Sequence, residues 1–174
     1  IIALPELAQL IIAVPESHLV EAAEIGAELI GDLPIGFEVV LGGETRQGSI
    51  ANALGELQPE SQIVLVHDAA RALAPTSLFA KVAESVRQTK LSSLPVMRVV
   101  DTIKRIDGET VLETVDRDVL RSAQTPQGFV ASDLVAAYAA AEADFTDDAA
   151  LMQSAGHRIL AIDGDERAFK ITTP

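Results

Sequence analysis

Short apolar runs alternate with stretches of helical spacing through the first half of the chain. Residues 10–14 (LIIAV) form a continuous apolar run closed by Pro15, the pattern of a strand covered on both faces. Residues 19–30 (LVEAAEIGAELI) place apolar side chains at helical intervals and stop before Gly31 and Pro34. A second strand is predicted at 37–41 (FEVVL), closed by Gly42 and Gly43, followed by a helix over 49–57. A third strand at 63–66 (IVLV) leads to a helix over 77–88, opened by Pro75 and Thr76. Strands and helices alternating in this way imply right-handed crossovers, so the expected fold is α/β with a mostly parallel sheet.

One stretch breaks the alternation. Residues 98–106 (RVVDTIKRI) and 110–115 (TVLETV) are rich in β-formers and joined by Asp107-Gly108, a pair suited to a tight hairpin turn. The hairpin reads either as a ribbon lying along its own domain or as an arm, over about 98–117, reaching to a second subunit; alone, two strands are marginal. Helices are then predicted at 132–142 and 147–155, the second after Thr146 as N-cap. A strand at 158–162 and a short last one at 169–172 (FKIT) close the chain. No repeat, linker or low-complexity tract divides it, so residues 1–174 are read as a single domain.

Charge narrows the function. Twenty-six acidic against 13 basic side chains give a net charge of -13, which excludes a general nucleic-acid surface, since that needs clustered Lys and Arg. No apolar run is long enough to span a membrane, and no signal-peptide pattern opens the sequence, so no membrane partner is expected. The chain has no cysteine, which removes thiolate chemistry and fits a cytoplasmic protein. An anionic ligand would need local cations or a metal ion to overcome the overall field.

Four segments carry candidate chemistry. GGETRQGS (42–49) joins a strand to a helix; it reads either as a plain turn with Ser49 as N-cap or as a ligand loop whose glycines admit close approach. VHDAAR (66–71) follows the third strand. Asp68 is placed there for a divalent cation or a ribose hydroxyl and Arg71 for a phosphate, or the two simply pair with each other. His67 is read as structural. QTPQGF (124–129) is a rigid polar turn after the hairpin, close in sequence to Arg117. Thr146-Asp147-Asp148 reads as a helix start, and Lys170, inside an apolar stretch, must face a carboxylate or a phosphate.

Taken in order, GGETRQGS, VHDAAR, DTIKR, TVDRDVLRSAQTPQGF, TDDA and FKITTP resemble the 2-C-methyl-D-erythritol 4-phosphate cytidylyltransferases, from about residue 10 to the end. The ribitol-5-phosphate cytidylyltransferases share part of this set but usually vary VHDAAR. The resemblance implies a Rossmann-like nucleotidyltransferase fold, a homodimer with interlocked β arms, a divalent ion such as Mg2+, and CTP and methylerythritol phosphate as substrates. It implies that Gly43, Glu44 and Ser49 recognise cytosine, and that Asp68 and Ala69 lie on the ribose and metal side. Arg71, Thr102, Thr125 and Thr146 would surround the polyol phosphate, with Arg117 and Lys170 holding the attacking phosphate in line. Thr102 and Arg117 lie on the arm, so a dimer would place them in the partner's site. Glu44, Ala72, Ala168 and Phe169 depart from the usual Asp, Pro, Asn and Ile. The family's first strand is followed by a glycine-rich loop carrying Arg and Lys for the triphosphate. No such loop stands between Ala3 and Leu4, so Ile1 to Ala3 are read as the end of that strand. We expect the gene to encode the loop there, and a closing helix beyond Pro174.

Overall fold

The computed structural model describes residues 1–172. Strand β1 (Gln9–Val14) and helix α1 (Leu19–Ile30) follow the predicted pattern, with a 3-10 turn between them. β2 (Gly36–Leu41) pairs in parallel with β1, in register from Gln9↔Gly36 to Val14↔Leu41. Helix α2 (Arg46–Gly55) starts three residues before the expected position. β3 (Ile63–Val66) and α3 (Thr76–Thr89) complete the alternating half. Ile1 to Ala3 form a turn rather than the end of a strand, with the Leu4 amide donating to the Ile1 carbonyl at 2.8 Å.

The sheet is mixed, which corrects the expectation of a mostly parallel one. β4 (Ser92–Arg98), β7 (Arg121–Ala123), β8 (Gln127–Val130) and β9 (Ile159–Asp163) join β3 in one five-stranded sheet. β8 runs antiparallel to both β3 and β4, and β7 antiparallel to β4; β9 alone is parallel to its neighbour, β4. β1 and β2 form a separate two-stranded sheet. Strands β4, β7 and β8 escape the sequence because SSLPVMR carries a proline and two serines, while the other two are only three and four residues long. The sequence around them reads as turn, and only pairing with β3 and β4 makes it strand. Phe169 to Thr172 form no strand, though the Ile171 amide still donates to the Ala70 carbonyl at 2.9 Å.

Alternation along β3 and β8 sorts the core into two layers. Val66, Phe129, Leu134, Ala137, Leu151 and Met152 pack together on the side of α4 (Ala131–Ala140) and α5 (Asp148–Ser154). Leu65 and Gly128 face α3; a β-carbon on Gly128 would stand 2.5 Å from Val82 Cγ1, so the helix rests directly on the strand there. The layers leave the carboxyl ends of β2 and β3 open, where ligands bind in open α/β sheets.

The hairpin stands apart. Among the described residues β5 (Ile103–Asp107) and β6 (Thr110–Val115) pair only with each other, and all their residues except Ile103 and Val115 are exposed. Its turn is Gly108-Glu109, one residue later than expected, with Gly108 at φ +54°, as the first central position of a type II′ turn requires. Val100, Ile106, Val111, Leu112 and Val119 leave large apolar surface on and beside it.

Candidate active site at the ends of β2 and β3

The first wall is the turn into α2. Thr45, not Ser49, is the N-cap: its hydroxyl accepts from the Gly48 amide at 3.0 Å. Ser49 lies inside the helix, where its hydroxyl accepts from the Gly43 amide at 3.0 Å and donates to the Thr45 carbonyl at 3.0 Å. These bonds fold the loop back so that a β-carbon on Gly43 would lie 2.6 Å from the Gly48 carbonyl carbon. Gly43 and Glu44 remain exposed at the mouth.

The second wall is the turn after β3, and a polar network joins it to the first. Asp68 accepts from Arg46 Nε at 3.0 Å on one oxygen and from Lys170 Nζ at 3.1 Å on the other. Lys170 thus meets a carboxylate, as its apolar neighbours demanded. Arg71 pairs with neither Asp68 oxygen. Its guanidinium donates to the carbonyls of Ala168 at 2.6 Å and Ala123 at 3.2 Å, and its Nε is buried without a hydrogen-bond partner among the described residues. Burial alone would raise the Asp68 pKa, but hydrogen bonds and charge from Arg46 and Lys170 hold it below the ordinary carboxylate range. Burial likewise opposes the charge on Arg46, and Asp148 and Asp68 more than offset it.

Arg46 reaches further, to Asp148 Oδ2 at 2.8 Å. The Asp148 side chain is 1% exposed, and its other oxygen accepts from the Tyr138 hydroxyl. Burial, then the neighbouring Asp148 carboxylate, push the Tyr138 pKa far up, so its proton stays. Asp147, rather than Thr146, caps α5, accepting from the Ala150 amide at 2.9 Å. Thr146 is exposed beside it, and Gln47 ties this segment to α2 through the Phe145 amide at 2.9 Å.

The QTPQ turn braces the floor. Thr125 Oγ1 accepts from the Asp68 amide at 3.0 Å and lies 3.0 Å from His67 Nδ1. The His67 ring packs on Phe79, centroids 4.7 Å apart, and burial lowers its pKa. Gln124 bonds both backbone groups of Asp165, and Gln127 spans from Asp147 to the Ala149 amide, so both glutamines are structural. Next to this floor lies a cleft of about 350 Å³ whose walls include His67, exposed Ala69 and Arg71.

Asp68, Thr125 and Lys170 therefore share one network, with Ala69 and Arg71 beside Asp68 in the same turn; Gly43 and Ser49 bond to each other at the start of α2, and Thr146 adjoins Asp147 at the start of α5. Thr102 and Arg117 are not brought there: Thr102 is exposed at the arm's base, and Arg117 donates to the Val100 carbonyl. Sequence reading assigns Arg46 and Tyr138 no role, and Asp148 only one at a helix start. Arg46 and Asp148 lie within segments that drew attention, but nothing in their spacing tells that one guanidinium joins residues 102 positions apart. No cluster of three or more His, Asp or Glu side chains is placed for a metal ion among the described residues. Asp68 fits Mg2+ only as one carboxylate beside phosphate oxygens, the arrangement that ion commonly adopts.

Comparison with known proteins identifies the family. The family model described as IspD, 2-C-methyl-D-erythritol 4-phosphate cytidylyltransferase, matches residues 1–174. A Rhodococcus opacus protein of that name is 48% identical over 143 residues, 82% of this chain and 63% of its own length. The bifunctional enzyme IspD/IspF of Clavibacter michiganensis is 47% identical over 99% of this chain and 42% of its own. The chain thus spans less than two thirds of these curated relatives. Among solved structures, the Thermus thermophilus 2-C-methyl-D-erythritol 4-phosphate cytidylyltransferase superposes with a TM-score of 0.79 at 35% identity, covering 97% of this chain and 78% of that one. The mixed-sheet α/β architecture is accordingly a nucleotidyltransferase-like fold. With a matching model along the whole sequence and a shared fold, the chain belongs to the 2-C-methyl-D-erythritol 4-phosphate cytidylyltransferase family.

Proposed function

We propose that the protein transfers CMP from CTP to 2-C-methyl-D-erythritol 4-phosphate, giving 4-diphosphocytidyl-2-C-methyl-D-erythritol and pyrophosphate. A phosphate oxygen of the polyol attacks the α-phosphorus of CTP, and the bond from that phosphorus to the pyrophosphate oxygen breaks. The reading rests above all on one observation: Lys170, Asp68 and Arg46, from three distant segments, meet at the carboxyl end of β3. Two unit charges about 4 Å apart repel by about 4 kcal/mol at an effective dielectric of 20. On a chain of net charge -13, cations at the point of transfer are what brings two phosphates together.

In this reading Gly43, Glu44 and Ser49 hold the cytosine, and Asp68 and Ala69 face the ribose and a nucleotide-borne Mg2+. Arg71, Thr102, Thr125 and Thr146 surround the polyol phosphate. Lys170 and Arg117 hold the attacking phosphate, Arg117 and Thr102 coming from the arm of a second subunit. The bare, apolar arm supports that dimer, because a two-stranded ribbon needs something to cover it. We read residues 1–174 as one cytidylyltransferase domain of a cytoplasmic protein; among the described residues no helix is long and apolar enough to cross a membrane.

Pyrophosphate release by the full-length protein, with CTP and Mg2+, tests the proposal. Release with methylerythritol phosphate is expected to exceed that with ribitol 5-phosphate in kcat/KM. The reverse order would reassign the substrate to another polyol phosphate. No release with either would leave a nucleotide-binding module without catalysis.

A further inference from the structure

The network behind Lys170 is built in one direction. It starts in the core, at Tyr138 on α4, whose hydroxyl donates to Asp148 at the start of α5. Asp148 is almost wholly buried, and both of its oxygens are engaged, one by Tyr138 and one by Arg46. A carboxylate so enclosed has one orientation, and it gives the guanidinium one orientation too. The backbone of Arg46 is also fixed, because it is the first residue of α2, directly after the Thr45 cap. From that anchor the second prong, Nε, reaches Asp68, and Asp68 holds Lys170, whose side chain is 43% exposed toward the open end.

A guanidinium that merely stitched α2 to α5 would need only the Asp148 contact. The contact to Asp68 carries rigidity from the core to the carboxylate that pairs with the exposed ammonium. We propose that Arg46 is a positioning residue, a planar spacer that sets the Asp68 carboxylate, and through it Lys170, at a fixed place relative to the core. The inference rests on the cytidylyltransferase reading above. Lysine cannot replace Arg46, because a single ammonium at the end of a flexible stem does not span two carboxylates in a fixed geometry.

The test uses the full-length protein with Arg46→Lys, Arg46→Ala and Asp148→Asn, assayed with CTP, Mg2+ and methylerythritol phosphate well below each variant's Tm. Misplacing a reacting group by an ångström costs about 100-fold in rate. Arg46→Lys is expected to lower kcat by about that factor with the KM for CTP nearly unchanged, and Arg46→Ala by at least as much. Low millimolar guanidinium should restore part of the Arg46→Ala rate. Asp148→Asn keeps an acceptor for Tyr138 but turns an amide donor toward Arg46, so kcat should fall in the same direction. A kcat for Arg46→Lys within threefold of the unsubstituted protein overturns the inference, as does a loss confined to Tm. If the unsubstituted protein itself releases no pyrophosphate, the cytidylyltransferase reading fails, and a crystal structure of Arg46→Lys decides the positioning role. Asp68 and Lys170 found unmoved there would overturn it; a displaced pair would uphold it.

Discussion

Gly43→Ala is the substitution whose effect follows most directly from the structure. A β-carbon at this position would sit 2.6 Å from the Gly48 carbonyl carbon and 2.9 Å from both Gly48 Cα and the Ser49 nitrogen, well inside ordinary contact, which begins at 3.4 Å. All three atoms are backbone at the start of α2, so no side-chain rotamer change relieves the overlap; the loop has to move off the helix. Overpacking of this kind costs about 1–3 kcal/mol. The movement also stretches the bond from the Gly43 amide to Ser49, worth about 1 kcal/mol. The expected loss is therefore about 2–4 kcal/mol, read as a lower urea midpoint at unchanged m-value. Because the same loop is assigned to cytosine, the KM for CTP should rise about tenfold or more, 1.4 kcal/mol being one decade. Gly55→Ala is the control: its β-carbon would meet nothing within 4 Å, and a helical glycine replaced by alanine should gain a few tenths to about 1 kcal/mol. Wild-type stability and wild-type KM for Gly43→Ala would refute the reasoning, because the two backbones then do not approach as described.

Removing either cation proposed to hold the attacking phosphate, Lys170→Ala or Arg117→Ala, should lower turnover far more than CTP affinity; unchanged turnover in either would count against its proposed role. Ile106 and Val111 are paired across the hairpin, so Ile106→Asp with Val111→Asp puts two charges on one face of the arm. Sedimentation is expected to show monomer for this variant and the proposed dimer for the unsubstituted protein, and a persistent dimer in the variant would place the interface elsewhere. Burial lowers the pKa of His67, so as pH falls through about 6.5 the unfolded chain takes up the proton first. This contribution to stability is complete above that pH and is lost below it. His67→Gln should flatten the stability profile in that range, and an unaltered slope between pH 7 and 5 would show that His67 is not its source.

How much of this was legible beforehand differs from element to element. Continuous apolar runs located β1 and β3, and helical spacing located α1 and α3, to within a residue or two at either end, because the runs are uninterrupted by polar residues and the helices are long enough for their periodicity to show. Local chemistry also foretold a charged partner for Lys170, since an ammonium among apolar neighbours is costly unless paired. Caps were less secure: Ser49 and Thr146 are as good cap formers as Thr45 and Asp147, and the chain's path, not residue type, chose between them.

What the amino-acid sequence determined by itself was therefore the alternating α/β half, the hairpin, and the family, the last through motifs in a recognisable order. The tertiary structure decided the rest. Strands as short as β7 and β8 have no period to read, and they exist because β3 and β4 offer open hydrogen-bonding edges; their antiparallel direction makes the sheet mixed. The line from Tyr138 through Asp148, Arg46 and Asp68 to Lys170 is likewise invisible along the chain. Ion pairs form between residues that folding brings within about 3 Å, and sequence spacing does not encode that distance when the partners lie on different elements.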